Sequence, residues 1–423
     1  MDPTDAVMLL PPHTKQITCL CFELNDWVDI QRFSEITSGH LPLLHTLHIS
    51  AIPEIDLDDP GVTASPLHPL FRDATGLQKF SLDLEVSPLL NLFIFPNLTS
   101  FELSVFTPTG EFCGSQLLDF LEASPMLKNV HTKIDLPISF EGIPQERTVV
   151  LHNVERLCLA VSDAEAGCRL ATHISCPSVN HTSFTHMSEP GSIIGMEVFP
   201  SLNSLDAIIR QYTRSPIEEI TFKIKWNSDY LIACFLTFRS VDTSVIELRF
   251  EIANNNENPY ATGLDPWLYF HVFSDAAETI QGLPLLANVK RLRMSGHPAL
   301  DEASDMFTDI GYELGQVLQS LGPLEELIIN YCDTRPYLEP FHSPRLRRHR
   351  EPVQYPPIKV LKIKHSIYGY TKNLTEGLVA LAKVQHELGR PFKRVSVRMY
   401  EPPAEMEEGL RPWVGAVDCR HAR

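Results

Sequence analysis

The sequence has no long hydrophobic run and no recognisable export signal. No stretch approaches the about eighteen consecutive apolar residues that a membrane-spanning helix requires. Hydrophobic residues make up 43% of the 423-residue chain, enough for a folded core and too few for a membrane protein. The first ten residues, MDPTDAVMLL, are acidic and lack the basic stretch and apolar segment of a signal peptide. We therefore expect an intracellular protein, cytoplasmic or nuclear, that does not cross a membrane.

Motifs that mark common active sites are also missing. There is no P-loop, no dinucleotide-binding glycine fingerprint, no His-Glu-x-x-His and no nucleophile elbow. Cys176, His181 and His186 are spaced five residues apart, so neighbouring ligands on an extended chain would face opposite ways. Cys19 and Cys21 form a Cys-x-Cys without a second pair, which favours outward-facing thiols on a strand over a zinc site. The sequence thus predicts no enzyme, no metal and no cofactor.

Basic residues are outnumbered by acidic ones. Lysine and arginine total 35 against 53 aspartates and glutamates, a net charge of −18. This balance argues against nucleic acid as a partner of the whole surface. The segment RLRRHR (345–350) is a local exception that fits either a nuclear-import or nucleic-acid patch or a solvated loop. Nine cysteines, an odd number scattered along the chain, are typical of reduced thiols in an intracellular protein.

What the sequence does contain is a recurring phrase: an apolar residue, two others, an apolar residue, one other, and an apolar residue. It is seen in LLHTLHI (43–49), FPNLTSFEL (95–103), LANVKRLRM (286–294) and LGPLEELIINYCD (321–333). The first apolar position of the fourteen copies falls at residues 17, 44, 77, 98, 127, 154, 179, 202, 217, 245, 289, 324, 358 and 392. The mean step is about 29 residues, at the top of the leucine-rich-repeat range. The second and third apolar residues alternate as in a strand, and one short strand cannot bury its face alone, so the copies should stack in parallel.

Helical spacing fills several intervals between copies. Residues 115–124, 304–321 and 371–389 each place leucines on one helix face, with Ser115 as a candidate N-cap and Gly389 as a candidate end. The fold class this predicts is α/β: an irregular, right-handed leucine-rich-repeat solenoid with a concave parallel sheet and helices or loops on the convex side. A doubly wound α/β sheet is the alternative.

The predicted organisation has three parts. Residues 1–12 form a lead-in, residues 13–400 the solenoid of about fourteen degenerate repeats, and residues 401–423 a loosely held tail. Composition predicts long loops at 253–266 and 333–357. The interval from 202 to 217 is too short for a helix between strands and predicts a bare loop or a missing strand.

The phrases FPNLTSFEL, SPMLKNV, FPSLNSL, LANVKRLRM and LGPLEELIINYCD resemble the leucine-rich-repeat region of F-box-like proteins of mushroom-forming fungi. The resemblance covers about residues 9–400. It implies a non-enzymatic substrate-recognition domain of a ubiquitin-ligase subunit. The F-box that recruits a Skp1-type adaptor is not visible, so such an adaptor is expected only if an F-box lies upstream of Met1. An orphan leucine-rich-repeat scaffold, or a small-GTPase regulator, is the alternative; repeat steps of 15 and 44 residues argue against the regulator.

Two further expectations concern turns and charge. The Asn or Cys that follows the phrase in regular leucine-rich repeats is mostly missing, so the turns should each be stabilised differently. Residues two, four and six after each first apolar position should face the concave surface, and in the last seven copies these include eight basic and four acidic residues. Such a face either keeps the sheet soluble or binds an acidic or phosphorylated protein segment. The candidate binding residues are Arg249, Arg291, Arg293, Lys362, Lys364, Arg394 and Arg398.

Overall fold

A computed structural model gives the fold in two compact units, residues 1–187 with 207–212, and residues 188–206 with 213–423. The residues it describes are 14–24, 41–51, 74–84, 90, 93–106, 110–188, 200–227, 231–253, 266–296, 315–330, 357–364, 371–399 and 402–421. The predicted lead-in, the RLRRHR segment and nearly all of both predicted long loops lie outside these residues.

The first unit is built on seven parallel strands among its described residues. Their order in the sheet is their order in the chain. They are β1 (Cys19–Leu24), β2 (Thr46–Ala51), β3 (Lys79–Leu84), β4 (Ser100–Phe106), β6 (Asn129–Asp135), β9 (Arg156–Val161) and β11 (His181–Ser188). Two-residue strands pair in parallel beside them: β5 (Phe112–Cys113) with β7 (Ile138–Ser139), and β8 (Val149–Val150) with β10 (Ile174–Ser175).

A recurring backbone arrangement joins one copy of the phrase to the next in this unit. The first apolar residue closes a turn: its N–H donates to the carbonyl of the residue three positions earlier, as Leu77 does to Ala74 at 3.0 Å. The carbonyl of the residue that follows then accepts two successive N–H groups from the next copy. This holds for Thr18, His45, Gln78, Thr99, Lys128 and Glu155. These bonds lie in the turn before each strand; most of the turns after the strands, where an Asn ladder would lie, fall outside the described residues, so the prediction about those turns stays a prediction.

The core of the first unit lies on the inward face of its strands. In-register neighbours form apolar rows across the sheet, one of which joins Leu47, Phe80, Phe101, Val130 and Leu157. Aromatic rings pack above this row; the centroids of Phe80 and Phe93 lie 4.9 Å apart and those of Phe101 and Phe120 4.4 Å apart. These rings are at most 1% exposed, so burial of apolar surface stabilises the stacking of the copies.

Among the described residues, two helices belong to this unit, and a third contributes its residues 207–212. Helix α1 is Gly114–Glu122, α2 is Ala164–Thr172 and α3 is Leu202–Tyr212; a 3-10 turn covers Thr14–Gln16. The N-cap of α1 is Cys113, so the prediction of Ser115 was wrong. The Asp163 carboxylate caps α2 by accepting the N–H groups of Glu165 and Ala166.

Helix α3 occupies the position of the eighth copy, which begins at residue 202, and no strand forms there. Leu-x-x-Leu fits a helix as well as a strand, and the buried residues that follow it, Ile208, Ile209 and Tyr212, continue at helical spacing. The Ser201 hydroxyl accepts the N–H of Ser204 at 3.3 Å, as an N-cap does. The prediction of a missing strand is confirmed, but the interval holds a helix rather than a bare loop.

The second unit has eight main strands among its described residues. They are β12 (Ile217–Asn227), β13 (Leu231–Ser240), β14 (Val245–Ala253), β15 (Arg291–Ser295), β16 (Leu324–Asn330), β17 (Ile358–Lys364), β18 (Arg394–Met399) and β19 (Val417–His421). Strands β14, β13 and β12 form an antiparallel meander, and β15 to β19 then follow β12 in parallel. The expectation of purely parallel stacking was therefore wrong, since β13 reverses direction between two copies of the phrase.

Helices of the second unit lie between its parallel strands. They are α4 (Pro266–Gly282), α5 (Thr371–Glu387) and α6 (Ala404–Leu410), with a helical segment at 315–321 and a 3-10 turn at Pro284–Asn288. Helix α5 ends at Glu387, and Gly389, the predicted end, lies two residues beyond it with a φ of 71° that suits glycine. The N–H of Arg390 donates to Gln385 and that of Gly389 to His386, which completes a Schellman motif.

The C-terminal segment differs from the loose tail that composition predicted. It contributes α6 and β19, and Met406 and Leu410 are fully buried. Their spacing of four residues places them on one face of the helix, and the segment packs through that buried face.

The chain is thus α/β with mostly parallel strands, as predicted. Thirteen of the fourteen copies lead directly into a strand. Leu327, the second apolar residue of the copy that begins at residue 324, is 4% exposed.

Candidate interaction surface

The outward side of the second unit's sheet carries the basic residues singled out from the sequence. Successive side chains of a strand point to opposite faces of the sheet, so in β15 Leu292 and Met294 are buried while Arg291 and Arg293 are exposed or half-buried. We call this side the polar face. It comprises the side chains two, four and six positions after each first apolar residue of the second unit, with their register neighbours on β13 and β19. All seven predicted residues lie on it.

Arg291 and Arg293 lie on either side of one carboxylate. Their guanidinium nitrogens are each 3.8 Å from an oxygen of Glu219. Glu219 is 9% exposed, and it is register neighbour to Arg291 on the adjacent strand. Two bases thus neutralise a largely buried acid, which removes the desolvation penalty that Glu219 would have alone. These two arginines therefore have a structural role as well as an exposed surface.

A second carboxylate between two bases lies at the end of the sheet. Asp418 accepts from Arg394 at 2.9 Å and from Arg420 at 2.7 Å. Hydrogen bonds from Arg420 and then Arg394 lower the pKa of Asp418. Arg420 was missed in the sequence because β19 lies in the segment predicted as a tail.

Lys362 and Arg249 are also paired. Lys362 on β17 forms an ion pair with Glu326 on β16. Arg249 pairs with Glu251, two residues further along the same strand, and its guanidinium carbon lies 5.1 Å from the Phe235 ring centroid. The same strand register that exposes these bases brings acidic neighbours next to them.

Lys364 and Arg398 occupy the ends of neighbouring strands. Their Cα atoms are in register, and Arg398 is in register with Arg420 on the next strand. Arg398 is exposed and forms no ion pair with any residue that the structure describes. Three basic residues therefore follow one another across β17, β18 and β19. Arg239 on β13 is a further exposed base of this face, missed because no repeat phrase marks that strand.

The cysteine and histidine candidates lie in the first unit. Cys19 and Cys21 are exposed on β1, which confirms the outward-facing prediction. Burial raises the pKa of the Cys176 thiol to about 12, so it stays protonated at neutral pH. The Nε2–H of His186 donates to the Ser162 carbonyl at 2.9 Å. Within the described ranges, no three His, Cys, Asp or Glu side chains form a group that could hold a metal ion.

Comparisons with known proteins add no assignment. No protein-family model matches this chain, and no curated protein matches it. None of the helices in the described part of the chain is long and apolar enough to cross a membrane.

Proposed function

We propose that this protein is a non-enzymatic protein-binding module, an irregular leucine-rich-repeat solenoid that binds a partner protein on the polar face of its second unit. The observation that carries the proposal is the concentration of Arg249, Arg291, Arg293, Lys362, Lys364, Arg394 and Arg398 on one sheet face of a chain whose net charge is −18. A face of opposite sign to the rest of the molecule favours one orientation of an acidic partner and speeds its association.

The solenoid part of the proposal is supported by the repeats themselves. Thirteen copies of the phrase each precede a strand, and the same turn and paired main-chain bonds recur from copy to copy in the first unit. Exposed strand faces in such arrays are available as binding surfaces because the core lies wholly on the other side.

By its resemblance to the repeat region of fungal F-box-like proteins, we propose that the partner is a substrate of a ubiquitin ligase in the cytoplasm or nucleus. The Skp1-type adaptor would then bind an F-box encoded upstream of Met1. Sequencing the 5′ end of the transcript tests this: an in-frame F-box supports the ligase role. A stop codon directly upstream of Met1 would refute that role and leave the binding module as a scaffold.

Affinity purification of the tagged chain from its native cells tests the binding surface. The wild type is compared with Lys364→Glu/Arg398→Glu and with a control of equal net charge, Arg390→Glu/Lys393→Glu, which changes exposed residues outside the polar face. Proteins that the wild type and the control capture should not be captured by the Lys364→Glu/Arg398→Glu variant. Equal capture by all three would refute the proposed surface.

A further inference from the structure

The basic residues of the polar face are not spread evenly along the strands. One register row crosses all eight strands of the second unit and contains five basic residues and no acidic one. In strand order from β14 to β19 its members are Arg249, Phe235, Lys223, Ser295, Asn330, Lys364, Arg398 and Arg420. We call these residues the cationic row.

The two preceding rows of the same face are mixed, and the row beyond the cationic row contains Glu251 and Lys225. The row through Arg291 also contains Glu219 and Glu326, and the row through Arg293 contains Glu247 and Asp418. On β12, β16 and β19 the acids Glu219, Glu326 and Asp418 lie nearer the amino end than the cationic row, whereas on β14 Glu251 lies beyond it.

The corresponding row of the first unit has no such excess. It joins Glu23, Ser50, Asp83, Ser104, Lys133, Ala160 and Thr185, with one basic residue and two acidic ones. Solubility alone would not require a row with five bases and no acid in one unit and a row with two acids and one base in the other.

The mixed rows show which chemistry fits between two bases on this face. Glu219 sits between Arg291 and Arg293, and Asp418 between Arg394 and Arg420. In both cases one carboxylate contacts two guanidinium groups from neighbouring positions. Lys364 and Arg398 are in register on adjacent strands, whose backbones are spaced about 4.8 Å apart, so one carboxylate can contact both side chains.

We infer that the cationic row binds an extended glutamate- and aspartate-rich segment of a partner protein, which lies across the strands with its carboxylates between the basic side chains. Ser295 and Asn330, in the middle of the row, add neutral polar groups that contact the segment's main chain. The inference rests on the proposed function; it adds that the partner's segment is acidic and that the cationic row is the part of the polar face that binds it.

Fluorescence anisotropy with synthetic peptides tests the inference on the full-length chain. The probe is a labelled peptide in which glutamate alternates with serine, and the matched peptides carry glutamine or phosphoserine in place of glutamate. The glutamate peptide should bind, the glutamine peptide should not, and binding should weaken as salt is raised.

Three variants locate the site. Lys364→Gln/Arg398→Gln should weaken binding of the glutamate peptide about tenfold, since two charge-assisted contacts are lost. Arg390→Gln/Lys393→Gln removes the same net charge outside the polar face and should change affinity less than about twofold. Arg291→Gln, which removes a base of the polar face outside the cationic row, should also have an effect below about twofold.

An equal loss of affinity for the glutamate peptide in Lys364→Gln/Arg398→Gln and in Arg390→Gln/Lys393→Gln would overturn the inference, because affinity would then follow net charge alone. Binding of the phosphoserine peptide only would overturn the carboxylate assignment. If no peptide binds while cellular proteins are still lost from Lys364→Glu/Arg398→Glu, the inference fails and the proposed function stands.

Discussion

Thr132 offers the sharpest test of which way the strands of the first unit face. It lies on β6 at an inward position, is 0% exposed, and has Leu103 and Leu159 as its register neighbours. Its hydroxyl has no hydrogen-bond partner among the residues that the structure describes. A polar group in the middle of an apolar row should lower stability, so Thr132→Val should raise it.

The magnitude follows from two terms. Leaving a buried hydroxyl unsatisfied costs about 1–3 kcal/mol, and the methyl group that replaces it contributes up to about 0.8 kcal/mol when buried. Valine has the same β-branched shape as threonine, so the strand conformation and the packing of Leu103 and Leu159 are retained. We expect the free energy of unfolding to increase by about 1–2 kcal/mol.

Urea denaturation measures this change, with an unchanged m-value showing that the unfolded state is not altered. Thr46→Val is the matched control, because Thr46 is half-buried on the outward side of the same sheet; its effect should stay within about 0.5 kcal/mol. A loss of more than about 1 kcal/mol on Thr132→Val would refute the reasoning, since it would mean that the hydroxyl is hydrogen-bonded or faces away from the core.

Three other predictions use the same denaturation assay. Leu327→Ala should cost about 2–5 kcal/mol because it empties a position that is 4% exposed; a loss under about 1 kcal/mol would contradict the inward register. Thr243→Gly should raise the free energy of unfolding by about 0.5–1 kcal/mol, because Thr243 has a φ of 72° that glycine adopts without strain; a decrease would contradict this. Hydrogen bonds from the hydroxyls of Ser240 and Ser244 lower the pKa of Asp242 to about 2. The stability this gives is present above the ordinary aspartate pKa and lost as pH falls through about 2, so Asp242→Asn should destabilise the protein at neutral pH and have a much smaller effect at pH about 2, where the carboxyl group of the folded protein is half protonated. A difference of the same size at the lower pH would exclude the titration as its cause.

Strand positions could be read from the sequence because two local signals coincide. A turn precedes the first apolar residue, and the next two apolar residues alternate, as at Leu327 and Ile329 in β16. Helix α3 was misread since Leu202 and Leu205 satisfy both a strand phrase and a helix turn, and only the later Ile208 and Ile209 decide between them. Strand β13 was missed although Leu236 and Phe238 alternate with Thr237 and Arg239, a signal that could have revealed it.

The basic residues of the polar face were predictable, while their partners were not. Alternation alone exposes Arg291 and Arg293. Their contact with Glu219 depends on β15 pairing with β12 rather than with β14, the strand before it in the chain. The alignment of Lys364 and Arg398 likewise depends on strand register, which a single sequence does not specify.

A charge exchange tests the central claim most directly. The affinity of the Lys364→Glu/Arg398→Glu chain is measured for the glutamate peptide and for a peptide with lysine in place of glutamate. If carboxylates sit between these two bases, the variant should lose the glutamate peptide and bind the lysine peptide, while the wild type does the reverse. A variant that binds neither peptide, or a wild type that binds both equally, would contradict the account.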